Sequence, residues 1–102
     1  MKKVTAIIVN WNDKDVIAEC IQSLLDQNRN EIDIIVSDNG SKDDSVNFIR
    51  KHFPSIKIIE NGKNLGFGSA VNRGLGLAKG DYFLFLNSDL KLHSKCVGEL
   101  AK

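Results

Sequence analysis

The sequence predicts an α/β fold: a Rossmann-like, three-layer α/β/α arrangement around a mainly parallel sheet of strand order 3-2-1-4. Three observations predict it. Strand-like and helix-like apolar patterns alternate along the chain as β-α-β-α-β-α-β. Every connection between successive strands is long enough for a helical crossover, which makes neighbouring strands parallel. The strands themselves read as nearly continuous apolar runs, as expected of a sheet covered on both faces, and right-handed crossovers put helices on both sides.

Each element has its own justification. Residues 4–9 form a β-branched run and read as strand one. Val16, Ile17, Cys20, Ile21, Leu24 and Leu25 then recur at helical spacing and make one apolar stripe. Ile32, Ile34, Ile35 and Val36 read as strand two. Ser41, with Asp44 three residues later, has the form of a capping box with Asp in the usual Glu position. It is expected to open a second helix carrying Val46, Ile49 and Phe53, which Pro54 stops. Ile56, Ile58 and Ile59 form strand three, and the intervening Lys57 indicates a less buried, edge position. Ala70, Val71, Gly74, Leu75 and Ala78 stripe a third helix, with Gly80 expected at its C-terminal cap. The five apolar residues Tyr82, Phe83, Leu84, Phe85 and Leu86 form strand four, expected to be buried on both faces.

Composition narrows the class. The 102 residues make one domain, at the small end of the usual size. Apolar content of 42% and charged content of 26% are those of a soluble globular chain. A net charge of +1 gives no footprint for nucleic acid or for an acidic membrane surface. No apolar run reaches the length of a membrane span. Lys2 and Lys3 precede only a short apolar stretch, which Trp11, Asn12 and Asp13 interrupt, so it is not a signal peptide. Cys20 and Cys96 form no CxxC and read as free thiols in a reducing cytoplasm.

The polar residues gather at one edge. Asn10-Trp11-Asn12 follows strand one, Asp38-Asn39-Gly40-Ser41 follows strand two, residues 61–64 follow strand three, and Asn87-Ser88-Asp89 follows strand four. Ligands of open α/β sheets bind at the carboxyl ends of strands, at the switch point, here between strands one and four. Trp11, the single tryptophan, sits between two polar residues and offers a flat stacking surface for a nucleobase; packing beneath the first helix is the alternative. Asp38 and Asn39 can pair with the imide N–H of uracil or thymine or with ribose hydroxyls, or can simply form the turn into Ser41. Asp89 is the best metal candidate, able to hold Mg²⁺ or Mn²⁺ and through it a diphosphate; Asn87-Ser88-Asp89 also suits a plain turn. No Walker-type phosphate loop is present, and Gly66-Phe67-Gly68 is a weak match to a dinucleotide fingerprint because the sixth position is Val71 and the segment follows strand three. His52 and His93 belong to no zinc-like spacing, and no pair of residues reads as a nucleophile with its base.

Four motifs, in order and at fitting spacings, resemble the N-terminal half of family 2 glycosyltransferases of the GT-A fold. They are Ile7-Ile8-Val9-Asn10-Trp11-Asn12, Ile35-Val36-Ser37-Asp38-Asn39-Gly40-Ser41, Asn64-Leu65-Gly66-Phe67-Gly68, and Ala78-Lys79-Gly80-Asp81-Tyr82 leading through Leu86 to Asn87-Ser88-Asp89. The resemblance implies a partial GT-A fold and transfer of a sugar from a UDP- or dTDP-sugar to an acceptor hydroxyl, on a glycan or lipid-linked glycan, with a divalent metal. Residue by residue, it implies that Val9 and Trp11 line the base, that Asn39 reads its imide edge with Asp38 beside it, that Asn64 and Gly66 belong to the segment flanking the nucleotide, and that Asn10 and Ser88 are further nucleotide-binding residues. It also implies that Asp89 binds the metal. Asn87 stands where the family's DxD signature has its first acidic residue, a departure shared with rhamnosyltransferase-like members.

Inversion at the anomeric carbon needs a carboxylate base, which the family carries in an acceptor-binding half beyond this signature. The chain ends about a dozen residues after Asp89, so residues 1–102 are expected to be a single nucleotide-sugar-binding domain without that half, its tail from residue 92 at most one short helix. The expected location is cytoplasmic, with peripheral attachment to the inner membrane face left open. The rival expectation is a non-catalytic nucleotide-binding module that pairs with a second copy through strand four. A dinucleotide-binding oxidoreductase fragment is weaker still, given its glycine pattern.

Overall fold

The computed structural model describes residues 3–27 and 32–89. The expected tail helix, His93 and Cys96 lie outside the described residues. Seven elements alternate: β1 (Val4–Asn10), α1 (Lys14–Leu25), β2 (Ile32–Asp38), α2 (Ser45–His52), β3 (Lys57–Glu60), α3 (Phe67–Leu75) and β4 (Tyr82–Asn87). The four strands form one parallel sheet in the order β3-β2-β1-β4. This is the expected order, with Lys57 exposed on the edge strand β3.

The two faces of β1 define the layers, because successive side chains point to opposite sides of a strand. Val4, Ala6 and Ile8 pack with Ile17, Cys20, Ile21 and Leu24 of α1 and with Ile49 of α2. Val9 packs with Ala70 and Val71 of α3 on the other face, where Gly74 lies against Ile7. All seven residues of β1 are buried, as a central parallel strand requires. Removing an isoleucine-sized side chain such as Ile8 from water contributes about 1.5–3 kcal/mol, so this strand anchors both half-cores.

Three local expectations need correction. Strand β4 is not buried on both faces: Phe83 and Phe85 remain 46% and 44% exposed, while Leu86 is buried. The reason is the position of α3, which packs over β1 and β2 and leaves its side of β4 uncovered among the described residues. Ser41 does not cap α2. That helix begins at Ser45 behind Asp44, which has φ of 68° and no side-chain capping bond. The hydroxyl of Ser41 instead donates to Asp38 Oδ1 at 2.7 Å, and its oxygen, which a cap would use to accept from a helix N–H, already accepts from Asn10 Nδ2 and Asn12 N. Finally, α3 ends at Leu75 with Gly76 as its cap, so Ala78 falls beyond the helix, and Gly80 enters β4 at φ of 144°.

Candidate functional site

The carboxyl ends of the strands are tied to one another sideways. Backbone ladders extend beyond the strands: Asn39 N donates to Asn10 O, Asn61 N to Asp38 O, and Ser88 N to Val9 O, at 2.8, 2.8 and 3.1 Å. Side chains then bridge the loops after β1 and β2. The buried Asn10 amide donates to Asp38 Oδ1 at 2.8 Å and to Ser41 Oγ at 3.2 Å. Asn12 N donates to Ser41 Oγ at 2.8 Å, and Lys42 N donates to Asn12 Oδ1 at 2.7 Å. The Asp43 carboxylate accepts from Lys14 N at 2.9 Å and from the backbone and hydroxyl of Ser45. Burial alone raises the Asp43 pKa, but these donors outweigh it and hold the group below its ordinary 3.8.

A second set of bonds joins the loop after β2 to the loop after β3. Asn39 Nδ2 donates to Asn64 Oδ1 at 3.3 Å and to Gly66 O at 3.2 Å, and Asn39 Oδ1 accepts from Asn61 Nδ2 at 2.9 Å. Gly40, at φ of 76°, lets the two loops touch: a Cβ there would come within 2.9 Å of the Lys63 backbone. The end of β4 is fixed from the N-cap residue of α1, Asp13, which accepts a hydrogen bond from the buried Ser88 hydroxyl. Beneath it the Cys20 thiol lies 3.8 Å from Asn87 O. Burial first, and then the charge of Asp89, push this thiol up to about 11, so it is an inert packing group rather than a nucleophile.

These loops enclose an open cavity of about 350 Å³ lined by Val9, Trp11, Asp13, Asn39, Asn64, Gly66, Phe67, Asn87, Ser88 and Asp89. The structure therefore brings Val9, Trp11, Asn39, Asn64, Gly66, Asn87, Ser88 and Asp89 together. Trp11 does not pack beneath α1; its indole is 53% exposed at the cavity. Asn10 and Asp38 are not on the wall. Both are buried behind it, and both oxygens of Asp38 accept from Asn10 and Ser41. Asp13 and Phe67 line the cavity although sequence reasoning passed over them. For Phe67 the available signal was a large aromatic set among glycines; for Asp13 it was a second polar residue, after Asn12, in the loop after β1.

Residues 5–102 match the sequence profile described as glycosyl transferase family 2. The chain belongs to that family. This family 2 glycosyl transferase chain is 40% identical over 90 residues to UDP-Glc:alpha-D-GlcNAc-diphosphoundecaprenol beta-1,3-glucosyltransferase WfaP of Escherichia coli, covering 87% of itself and 36% of that protein. Over 93 residues it is 33% identical to the poly(ribitol-phosphate) beta-glucosyltransferase of Bacillus spizizenii, covering 85% of itself and 15% of the relative. In three dimensions it superposes on S. aureus TarS 1-349 in complex with UDP with a TM-score of 0.88 at 26% identity, over 97% of this chain and 31% of that one. The family 2 chain thus spans well under half the length of these relatives. Among the described residues, no helix is long and apolar enough to cross a membrane.

Proposed function

We propose that this chain forms the donor-binding half of a glycosyltransferase that takes a UDP- or dTDP-sugar and passes the sugar to an acceptor hydroxyl, with Mg²⁺ or Mn²⁺ as the divalent metal. One observation carries the reading. Side chains from the ends of β1, β2 and β4 and from the start of α3 surround a single cavity at the switch point of the sheet. Likeness to a TarS chain solved with UDP-GlcNAc, at 26% identity, supports the donor class.

Within this reading Trp11 stacks on the base and Asn64 and Gly66 flank the nucleotide, while Asn10 and Asp38 act from behind by fixing the loop. The donor set suits a hard cation: Asp89 is an exposed carboxylate beside the Asn87 amide, with the Asp13 carboxylate on the same wall. Among the described residues no three His, Cys, Asp or Glu gather into a cage. That fits a magnesium-like ion, which is held by one or two carboxylates and completed by phosphate and water oxygens. A metal held by Asp89 would offset the charge of a bound diphosphate. Asp89→Ala is expected to abolish metal-dependent UDP binding, measured by calorimetry, while the circular dichroism spectrum stays native. Unchanged affinity refutes the metal role. Trp11 emission should quench as UDP is added, and a flat titration at millimolar nucleotide removes the stacking role.

A second reading draws on the exposed Phe83 and Phe85 of the edge strand β4: a non-catalytic module whose two copies pair along this edge. Light scattering that finds a monomer with nucleotide affinity rules it out.

A further inference from the structure

We propose that Asn61 is a positioning residue for the nucleotide cavity, setting the orientation of the Asn39 amide and through it the wall formed by Asn64 and Gly66. The inference rests on the donor-site reading and adds a residue to it that does not touch the cavity.

The hydrogen-bond chain through Asn39 has a direction. An asparagine amide has an accepting end and a donating end, and turning it over exchanges them. Gly66 O is a backbone carbonyl, which can only accept. Its 3.2 Å contact with Asn39 therefore requires the Asn39 NH₂ group on that side. The same NH₂ meets Asn64 Oδ1, whose acceptor role is independently fixed by the donor Gly66 N at 2.9 Å. Asn39 Oδ1 must then face the other way, toward Asn61, and needs a donor there. Asn61 Nδ2 supplies it at 2.9 Å and gives its other hydrogen to Ser37 Oγ at 3.0 Å.

This direction is held at a cost. Asn61 Oδ1 is buried and has no partner among the described residues. An unmet buried acceptor costs about 1–3 kcal/mol, and an Asn61 turned over would cover that oxygen with the Ser37 hydroxyl. The turned form would also set Asn61 Oδ1 against Asn39 Oδ1 or, if Asn39 turned with it, oppose Asn39 Oδ1 to Gly66 O. The observed arrangement leaves one oxygen unmet and keeps every contact at the cavity wall correctly paired. Asn39 is itself only 2% exposed, so its main work is to join the end of β2 to the start of α3. The imide-reading role expected of it then falls to a residue whose amide is already bonded at both ends.

The test compares two substitutions. Asn61→Asp keeps the shape but removes both donors, placing oxygen against Asn39 Oδ1 and driving that amide to turn against Gly66 O. Asn61→Ala removes atoms but lets water serve Asn39. An orientation role makes the Asp variant the worse binder: a rise of about tenfold in UDP Kd by calorimetry, as one lost charge-free hydrogen bond with added repulsion implies, and a smaller rise for Ala. A packing role reverses that order. Thermal midpoints recorded beside the titrations establish that both variants are folded at the assay temperature. A second readout needs no nucleotide. The Asn39 side-chain amide protons, followed by NMR in ¹⁵N-labelled protein, should exchange slowly in the native chain and fast in Asn61→Asp. Equal UDP affinity in Asn61→Asp, a weaker Ala than Asp variant, or unaltered Asn39 exchange overturns the inference. Absence of UDP binding in the native protein overturns the donor-site reading instead, and the exchange experiment then still decides the role of Asn61.

Discussion

Asp38→Asn is an isosteric change with a large expected consequence. Asp38 is 2% exposed and sits at the last position of β2. Its Oδ1 accepts from the Asn10 amide at 2.8 Å and the Ser41 hydroxyl at 2.7 Å, and its Oδ2 accepts from Ser41 N at 2.9 Å. Asparagine offers one oxygen and one NH₂ group. With its NH₂ toward Ser41 it faces the backbone N–H, a donor that cannot turn; with its NH₂ toward Asn10 it is met only if the Asn10 amide turns over to present its otherwise unmet Oδ1 and gives up its bond to Ser41 Oγ. A buried donor without an acceptor costs about 1–3 kcal/mol, and the remaining bonds fall from charge-assisted to neutral strength. Against this, the neutral amide is easier to bury than a carboxylate. The net expectation is a loss of about 2 kcal/mol, read as a lower urea midpoint at unchanged slope. Trp11, one residue past Asn10, should become more mobile on the fluorescence anisotropy timescale. A variant within about 0.5 kcal/mol of the native protein, the scatter of ordinary surface substitutions, refutes the view that this carboxylate holds the β1 and β2 loops together.

Gly74→Ala brings a Cβ to 2.6 Å from Ile7 Cγ2 in the α3 half-core; overpacking of about 1–3 kcal/mol exceeds the helix-propensity gain of about 1 kcal/mol, so the thermal midpoint should fall by about 5 °C, and a rise contradicts the packing. The Asp43 carboxyl is held below 3.8 when folded, so its stabilisation is complete above the unfolded value and disappears as pH falls through the folded one; the gap between the melting curves of the native protein and Asp43→Asn should begin to narrow below about pH 4, and a gap constant with pH contradicts it. With its pKa at about 11, native Cys20 in a Cys96→Ser background should resist iodoacetamide at pH 8 and react once urea is added; rapid labelling of the native form contradicts its burial.

The sheet was legible because its signals are local. β-branched runs mark β1 and β2, an interposed Lys57 marks an edge, and crossover-length connections leave few orders open. What failed depends on partners distant in sequence. No local pattern shows that α3 rests over β1 and β2 and leaves Phe83 and Phe85 bare. Ser41 carries a capping signature, but Asn10 and Asn12, some thirty positions earlier, engage its hydroxyl with Asp38. The cavity residues were visible as polar clusters at strand ends, yet sequence could not divide those on the wall from those behind it. Asp38 and Asn39 are adjacent, and only the alternation of β2 decides that one braces the loop while the other borders the cavity. Asn61 was invisible as a positioning group because its partners, Ser37 and Asn39, are 24 and 22 residues away.

The crosswise stitching of the rim has a consequence for redesign. Three loops that hold one another can hardly be altered singly, since a new residue in any of them must satisfy atoms belonging to its neighbours. Apart from Asp89, the candidate metal ligand, freedom to retune ligand preference is concentrated at the exposed wall side chains that make no hydrogen bond to the described residues: Trp11, Phe67 and Asn87. A library confined to those three positions should keep its scaffold intact, whereas one of equal size spread over Asn10, Asp38, Asn39 and Asn61 should yield mostly collapsed pockets.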